Sequence, residues 1–128
     1  MKKQLLLILY ALFLFLNSCT DYKEKINIMT YNIRLNTDAD GINKWDNRKE
    51  GIVSLIKEED VDILGIQEGL PSQIEYLSKQ LDDYSMIGEG RDGGNSGEYS
   101  AIYYKSKKMS LIETETFWLS ETPEIPSI

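Results

Sequence analysis

Short apolar runs alternate with polar loops along this chain, and the spacing of the apolar positions changes from one run to the next. Lys25 to Leu35 (KINIMTYNIRL) places Ile26 and Ile28 on one face and Met29, Tyr31, Ile33 and Leu35 on the other. A strand that is apolar on both faces belongs inside a layered structure, covered from both sides. Asn36 to Lys44, with Asp38, Asp40, Gly41 and Asn43, reads as a loop. A helix is expected from near Asn47, because Asn47 and Glu50 stand in capping-box spacing. Ile52, Val53, Leu55 and Ile56 form its apolar stripe, and Lys57 to Asp60 its solvated end. Val61 to Gln67 (VDILGIQ) is a second buried-strand candidate. Pro71 suits the first turn of a second helix, and Ile74, Leu77 and Leu81 recur at i, i+3 and i+7. Tyr84 to Ile87 reads as a short strand and Gly88 to Gly97 as a flexible, glycine-rich loop. Glu98 to Tyr104 and Met109 to Leu119 read as two β runs joined by a turn at Lys105 to Lys108, hence a hairpin. Ser120 to Ile128, with Pro123 and Pro126, has no apolar period.

This order predicts an α/β unit: a mixed sheet with two helices on one face. The other face of the first strands is apolar too, and no predicted element is left to cover it. Layer rules then call for a second sheet or helix layer, so the chain reads as part of a domain.

The extreme N-terminus follows a different rule. Lys2 and Lys3 precede an apolar run from Leu5 to Leu16, which is too short for a membrane span of ~20 residues and suits a secretory signal. Leu16-Asn17-Ser18-Cys19 follows and resembles the lipobox of bacterial lipoproteins, in which the cysteine becomes the lipid-bearing residue. Residues 1–18 are therefore expected to be a signal peptide, 19–25 a tether and 26–128 the folded part. Cys19 would anchor the protein in the bacterial cell envelope, in the inner or the outer membrane.

Composition narrows the chemistry. The chain has 128 residues and a formal charge of −7, from 14 basic and 21 acidic side chains. Loss of Lys2 and Lys3 with the signal takes the basic count to 12 and the charge to −9. Such a balance argues against holding long nucleic acid by broad electrostatics, which needs a basic face. It leaves open phosphate chemistry at a metal site, where carboxylates are wanted. There is no histidine, which excludes a Ser/His/Asp triad or His-ligated zinc within the chain. A single cysteine excludes an intramolecular disulfide.

Two polar positions sit at the ends of the buried strands: Asn32 near the end of the first, and Glu68 ending the second. Strand ends that open into loops are where α/β scaffolds hold functional groups rigidly beside open space. A carboxylate with an amide oxygen suits a hard cation such as Mg²⁺. The simpler alternatives are that Glu68 favours the positive end of the Pro71 helix and that Asn32 is an ordinary strand polar residue. Arg91, in the glycine-rich loop, is a candidate phosphate contact, although the loop lacks the Gly-Lys-Ser/Thr ending of a P-loop. Trp45 and Trp118 are core or stacking candidates. Asp38, Asp40, Asn43 and Asp46 lack EF-hand spacing and read as a solvated loop.

Met29-Thr30-Tyr31-Asn32-Ile33-Arg34, Trp45 with Arg48, Val61 to Glu68, Gly97 to Tyr104 and Phe117 to Pro123, in this order, resemble the endonuclease/exonuclease/phosphatase superfamily. The resemblance runs from about Ile26 to Pro123. It implies a four-layer α/β-sandwich of DNase I-like type, represented here by its N-terminal half, and Mg²⁺-dependent phosphoester hydrolysis with Mn²⁺ as a substitute. It implies further that Glu68 is the metal-binding carboxylate, that Asn32 is the amide beside metal and scissile phosphate, and that Glu98 orients a histidine from the second half. The family takes its water-activating Asp, its Asp-x-Asn pair and its terminal Asp-His from that C-terminal half. The chain is thus expected to be a fragment of weak activity or none. The substrate would be a phosphorylated small molecule or a phosphodiester. The alternative is a non-catalytic lipoprotein module that keeps the fold for binding.

Overall fold

A computed structural model describes residues 25–127. The expected signal peptide, Cys19 and all but the last residue of the tether lie outside the described residues. Four strands form one sheet: β1 Ile28–Asn32, β2 Ile63–Gly69, β3 Tyr84–Ile87 and β4 Tyr99–Lys105. Two helices, α1 Trp45–Glu58 and α2 Pro71–Gln80, follow β1 and β2, and a 3-10 segment Asp38–Asn43 precedes α1. The sheet order is β1-β2-β4-β3. β1 and β2 are parallel, and β4 runs antiparallel to β2 and β3.

The period-2 pattern decides which face is covered. Met29, Leu64 and Tyr103 share one cross-strand row, and Tyr31, Ile66 and Ala101 the next. These rows lie beneath the helices, and Leu64, Ile66, Ala101 and Tyr103 are buried. From above, α1 buries Ile52, Val53 and Ile56, and α2 buries Ile74 and Leu77. Each such side chain contributes about 1.5–3 kcal/mol when fully removed from water. The buried Tyr103 hydroxyl donates to the Ile74 carbonyl at 3.2 Å and meets Ser78 Oγ at 3.1 Å, tying sheet to α2.

Opposite faces of the same strands are open. Ile28, Ile63 and Tyr104 form one row there, and Thr30, Gly65 and Ile102 the next. Ile28 is 73% exposed and Ile102 43%. The expectation of a sheet covered on one side only therefore holds. No described element covers that face, so Ile28 on β1 is exposed rather than buried from both sides.

Three expectations are corrected. Met109 to Leu119 forms no strand, and no hairpin joins it to β4. β4 is an interior strand whose two edges are taken by β2 and β3, so the second β run finds no free edge beside it. The first helix begins at Trp45, with Lys44 as an N-cap lacking a side-chain bond. Asn47 does not cap it: its Nδ2 donates to the Ile42 carbonyl at 2.9 Å. Packing of the Trp45 indole edge-on to Tyr76, centroids 5.8 Å apart, carries the helix back past the predicted cap. Finally, Gly88 to Gly97 is a compact turn system rather than a loose loop. Gly90 N–H reaches Gly94 O at 2.8 Å, and Asp92 N–H reaches Ser96 O at 3.0 Å. A Cβ at Gly90 would lie 1.9 Å from Ser96 O, so only glycine fits there.

Candidate active site

Parallel pairing of β1 with β2 sets Asn32 opposite Gln67, one residue before Glu68. By strict alternation Glu68 would follow Leu64 and Ile66 onto the helix-covered face. A bulge prevents this: between the pairs Ile66–Ala101 and Gly69–Tyr99, β2 carries one more residue than β4. Glu68 sits in that irregularity with φ of 60°, in the left-handed region that non-glycine residues avoid at a cost of about 1–2 kcal/mol. Its carboxylate is thereby turned to the end of the sheet. Oε1 accepts from Asn32 Nδ2 at 2.8 Å, and Oε2 accepts from the Leu35 backbone N–H at 3.3 Å. The Asn32 hydrogen bond, then the Leu35 N–H, hold the Glu68 carboxyl below the ordinary glutamate range.

Asn32 is itself fixed. Its Oδ1 accepts from the Arg34 N–H at 2.9 Å, so the amide nitrogen faces Glu68. The geometry thus gives Asn32 a share in orienting the carboxylate, with its oxygen engaged by the backbone. Arg34, also left-handed at φ of 58°, forms a two-point ion pair with Asp40 at 3.1 and 3.2 Å. That pair draws the Asp40 carboxyl below its usual range.

Two helix side chains hold the loop after β1. Arg48, on α1, donates to three carbonyls: Ile33, Arg34 and Asn43. Gln73, on α2, is fully buried; its Oε1 accepts from Leu70 and Asn36 N–H, both at 3.0 Å, and its Nε2 donates to the Arg34 carbonyl at 3.0 Å. Gln73 was not a sequence candidate. The only local signal is a polar residue at the third position of a helix, next to the apolar stripe, where it serves the N-terminal amides.

The four residues singled out in the sequence, Asn32, Glu68, Arg91 and Glu98, all line one cleft of about 680 Å³. Glu98 immediately precedes β4, and Arg91 reaches it at 3.7 Å and Asp92 at 3.5 Å. Phe117 and Trp118 also line the cleft, and the Trp118 indole donates to the Arg91 carbonyl at 2.7 Å. Trp45 is buried core, whereas Trp118 belongs to the cleft. Among the described residues no group of three or more His, Cys, Asp or Glu side chains is arranged to hold a metal ion. Glu68 is a cleft carboxylate fixed by two donors, a side-chain amide and a backbone N–H. One ionised carboxylate with open space beside it fits Mg²⁺, which keeps several waters and takes few protein ligands.

No curated protein matches the chain. Among solved structures, an endonuclease/exonuclease/phosphatase from Bacteroides vulgatus is 36% identical, with a TM-score of 0.80, over 83% of this chain and 41% of that one. A mannosyl-6-phosphatase from Bacteroides thetaiotaomicron is 37% identical, with a TM-score of 0.77, over 80% of this chain and 40% of that one. A D. rerio TDP2 structure with a single-strand DNA product is 20% identical at a TM-score of 0.52 and supports the fold alone. The chain thus spans about two fifths of the length of its bacterial relatives. Its residues 29–121 match the endonuclease/exonuclease/phosphatase family, a match that takes in the Asn32–Glu68 strand ends, the bulge and most of the cleft lining, and the chain belongs to that family.

Proposed function

We propose that this chain supplies the metal-binding and phosphate-facing part of a phosphoester hydrolase, with Mg²⁺ held at Glu68. The observation that carries the reading is the Asn32–Glu68 pair at adjoining strand ends, open to the cleft. When bound, Mg²⁺ would neutralise phosphate oxygens and steady the leaving oxygen. Glu68 holds the ion through its carboxylate, kept ionised by Asn32 and Leu35. Asn32 keeps that carboxylate aimed at the cleft, and its second amide hydrogen is available to a phosphate oxygen. Glu98 lines the same cleft as an acid able to orient a basic group, and Arg91 is a cation within reach of substrate phosphate once it leaves Asp92 and Glu98. The chain has no histidine, so these residues bind and orient; they do not provide a histidine base.

The substrate proposed is a small phosphorylated molecule, a sugar phosphate in the first instance. The relative named as a mannosyl-6-phosphatase supports this class, as do the aromatic wall at Phe117 and Trp118 and the net negative charge. We propose in addition that export and lipidation at Cys19 anchor the protein in the bacterial envelope.

Mn²⁺ titration followed by electron paramagnetic resonance tests the metal reading. Wild type should take up one Mn²⁺, displaced by Mg²⁺, and Glu68→Gln should bind at least tenfold more weakly. Equal uptake by both proteins overturns the reading and leaves a binding module that shares the fold.

A further inference from the structure

We infer that Gln73 is a positioning residue for the Asn32–Glu68 pair: one buried amide that locks together the two loops on which that pair depends. This rests on the reading of Glu68 as the metal-holding carboxylate. Gln73 has no exposed surface, yet it carries a fully polar head. Burying an amide without partners costs free energy, so its three bonds define what it does. All three go to backbone at the strand ends. Two anchor the loop after β1, through Arg34 O and Asn36 N–H, and one anchors Leu70 N–H at the start of α2.

The residues on either side of those anchors are the ones that hold the site. Leu35 lies between Arg34 and Asn36, and its N–H donates to Glu68 Oε2. The Arg34 N–H donates to Asn32 Oδ1. Leu70 is two residues beyond Glu68, whose left-handed backbone relaxes unless its surroundings hold it. Gln73 makes its hydrogen bonds to neither Asn32 nor Glu68, and acts through the peptide groups next to them. Arg48 grips the same loop from α1 through Ile33 O and Arg34 O, and its three hydrogen bonds all go to residues before α1. Gln73 binds both the loop after β1 and the start of α2. Partners that orient a metal ligand typically change metal affinity 10–100-fold when removed.

The test compares Gln73→Met, which keeps length and loses every hydrogen bond, with Leu77→Ala, which weakens the core on the same helix. Both are made in the full chain, with thermal melts, backbone amide exchange and Mn²⁺ titration. Gln73→Met should speed exchange at Leu35 and Asn36 at least tenfold and weaken Mn²⁺ about tenfold. Leu77→Ala should lower the melting temperature without a selective effect at either amide or on Mn²⁺. Unchanged exchange at Leu35 and Asn36 in Gln73→Met, or the same exchange and Mn²⁺ changes in Leu77→Ala, overturns the inference. If wild type binds no Mn²⁺, the metal reading fails alone, and the exchange data still decide whether Gln73 locks the loops.

Discussion

The Asn32 amide donates to Glu68 across 2.8 Å, joining the ends of two parallel strands whose residues lie 36 apart in sequence. Each side chain is oriented by a further backbone N–H, from Arg34 to Asn32 and from Leu35 to Glu68. A carboxylate so held is oriented in advance, which is the condition for a preorganised electrostatic site.

Glu68→Gln keeps the shape and removes the charge. In a protein with the complete catalytic set, phosphate release should fall by about 10²-fold or more, with partial recovery at high Mg²⁺ or Mn²⁺. Near wild-type rates at low Mg²⁺ would reduce Glu68 to a charge near a helix start. The loss should exceed that of Asn32→Ala, which removes a donor to the carboxylate but leaves the charge.

A pH effect is expected at the far end of the sheet. Asp62 is buried and accepts from Lys108 at 2.8 Å, from the Asn27 N–H at 3.0 Å and from Lys105 at 3.0 Å. These donors, Lys108 foremost, hold its carboxyl far below the usual aspartate range. A depressed folded pKa contributes stability that is present above the unfolded value of about 3.9 and is lost as pH falls through the folded value. The melting temperature should therefore drop as pH is lowered below about 4. Asp62→Asn should lower it at pH 7 and flatten the acid limb; an unchanged acid limb would show that Asp62 does not set it.

The open sheet face should govern solubility. Ile28 and Ile102, both exposed, lie on it with Ile63 and Tyr104. Replacing both by threonine keeps β-branching and should cut 8-anilinonaphthalene-1-sulfonate fluorescence at least twofold. The melt should move little, since exposed substitutions usually stay within about 0.5 kcal/mol. Unchanged dye binding would place the apolar surface elsewhere.

Cys19→Ser should shift the protein from the membrane to the soluble fraction and abolish incorporation of labelled palmitate. A wild-type protein that carries no lipid and stays soluble would remove the anchoring proposal.

The periods of two and 3.6 in the sequence determined most of this fold. They placed β1, β2, β3, β4 and both helices, and they showed that the helices cover one sheet face only. They also put Asn32 and Glu68 at strand ends. Such features are legible because apolar spacing is local and directly encodes which face meets a core. What the tertiary structure alone decided is non-local. Met109 to Leu119 has strand-like residues, but both edges of β4 are already paired. Trp45 starts α1 because Tyr76, on another helix, offers a packing partner that outweighs the cap signal at Asn47. Glu68 leaves the core face through a bulge created by its pairing with β4, which nothing in Ile66-Gln67-Glu68-Gly69 announces. Gln73 finds Arg34 and Asn36 at separations of 39 and 37 residues, a partnership that exists only once the parallel pairing of β1 and β2 has brought their loops together.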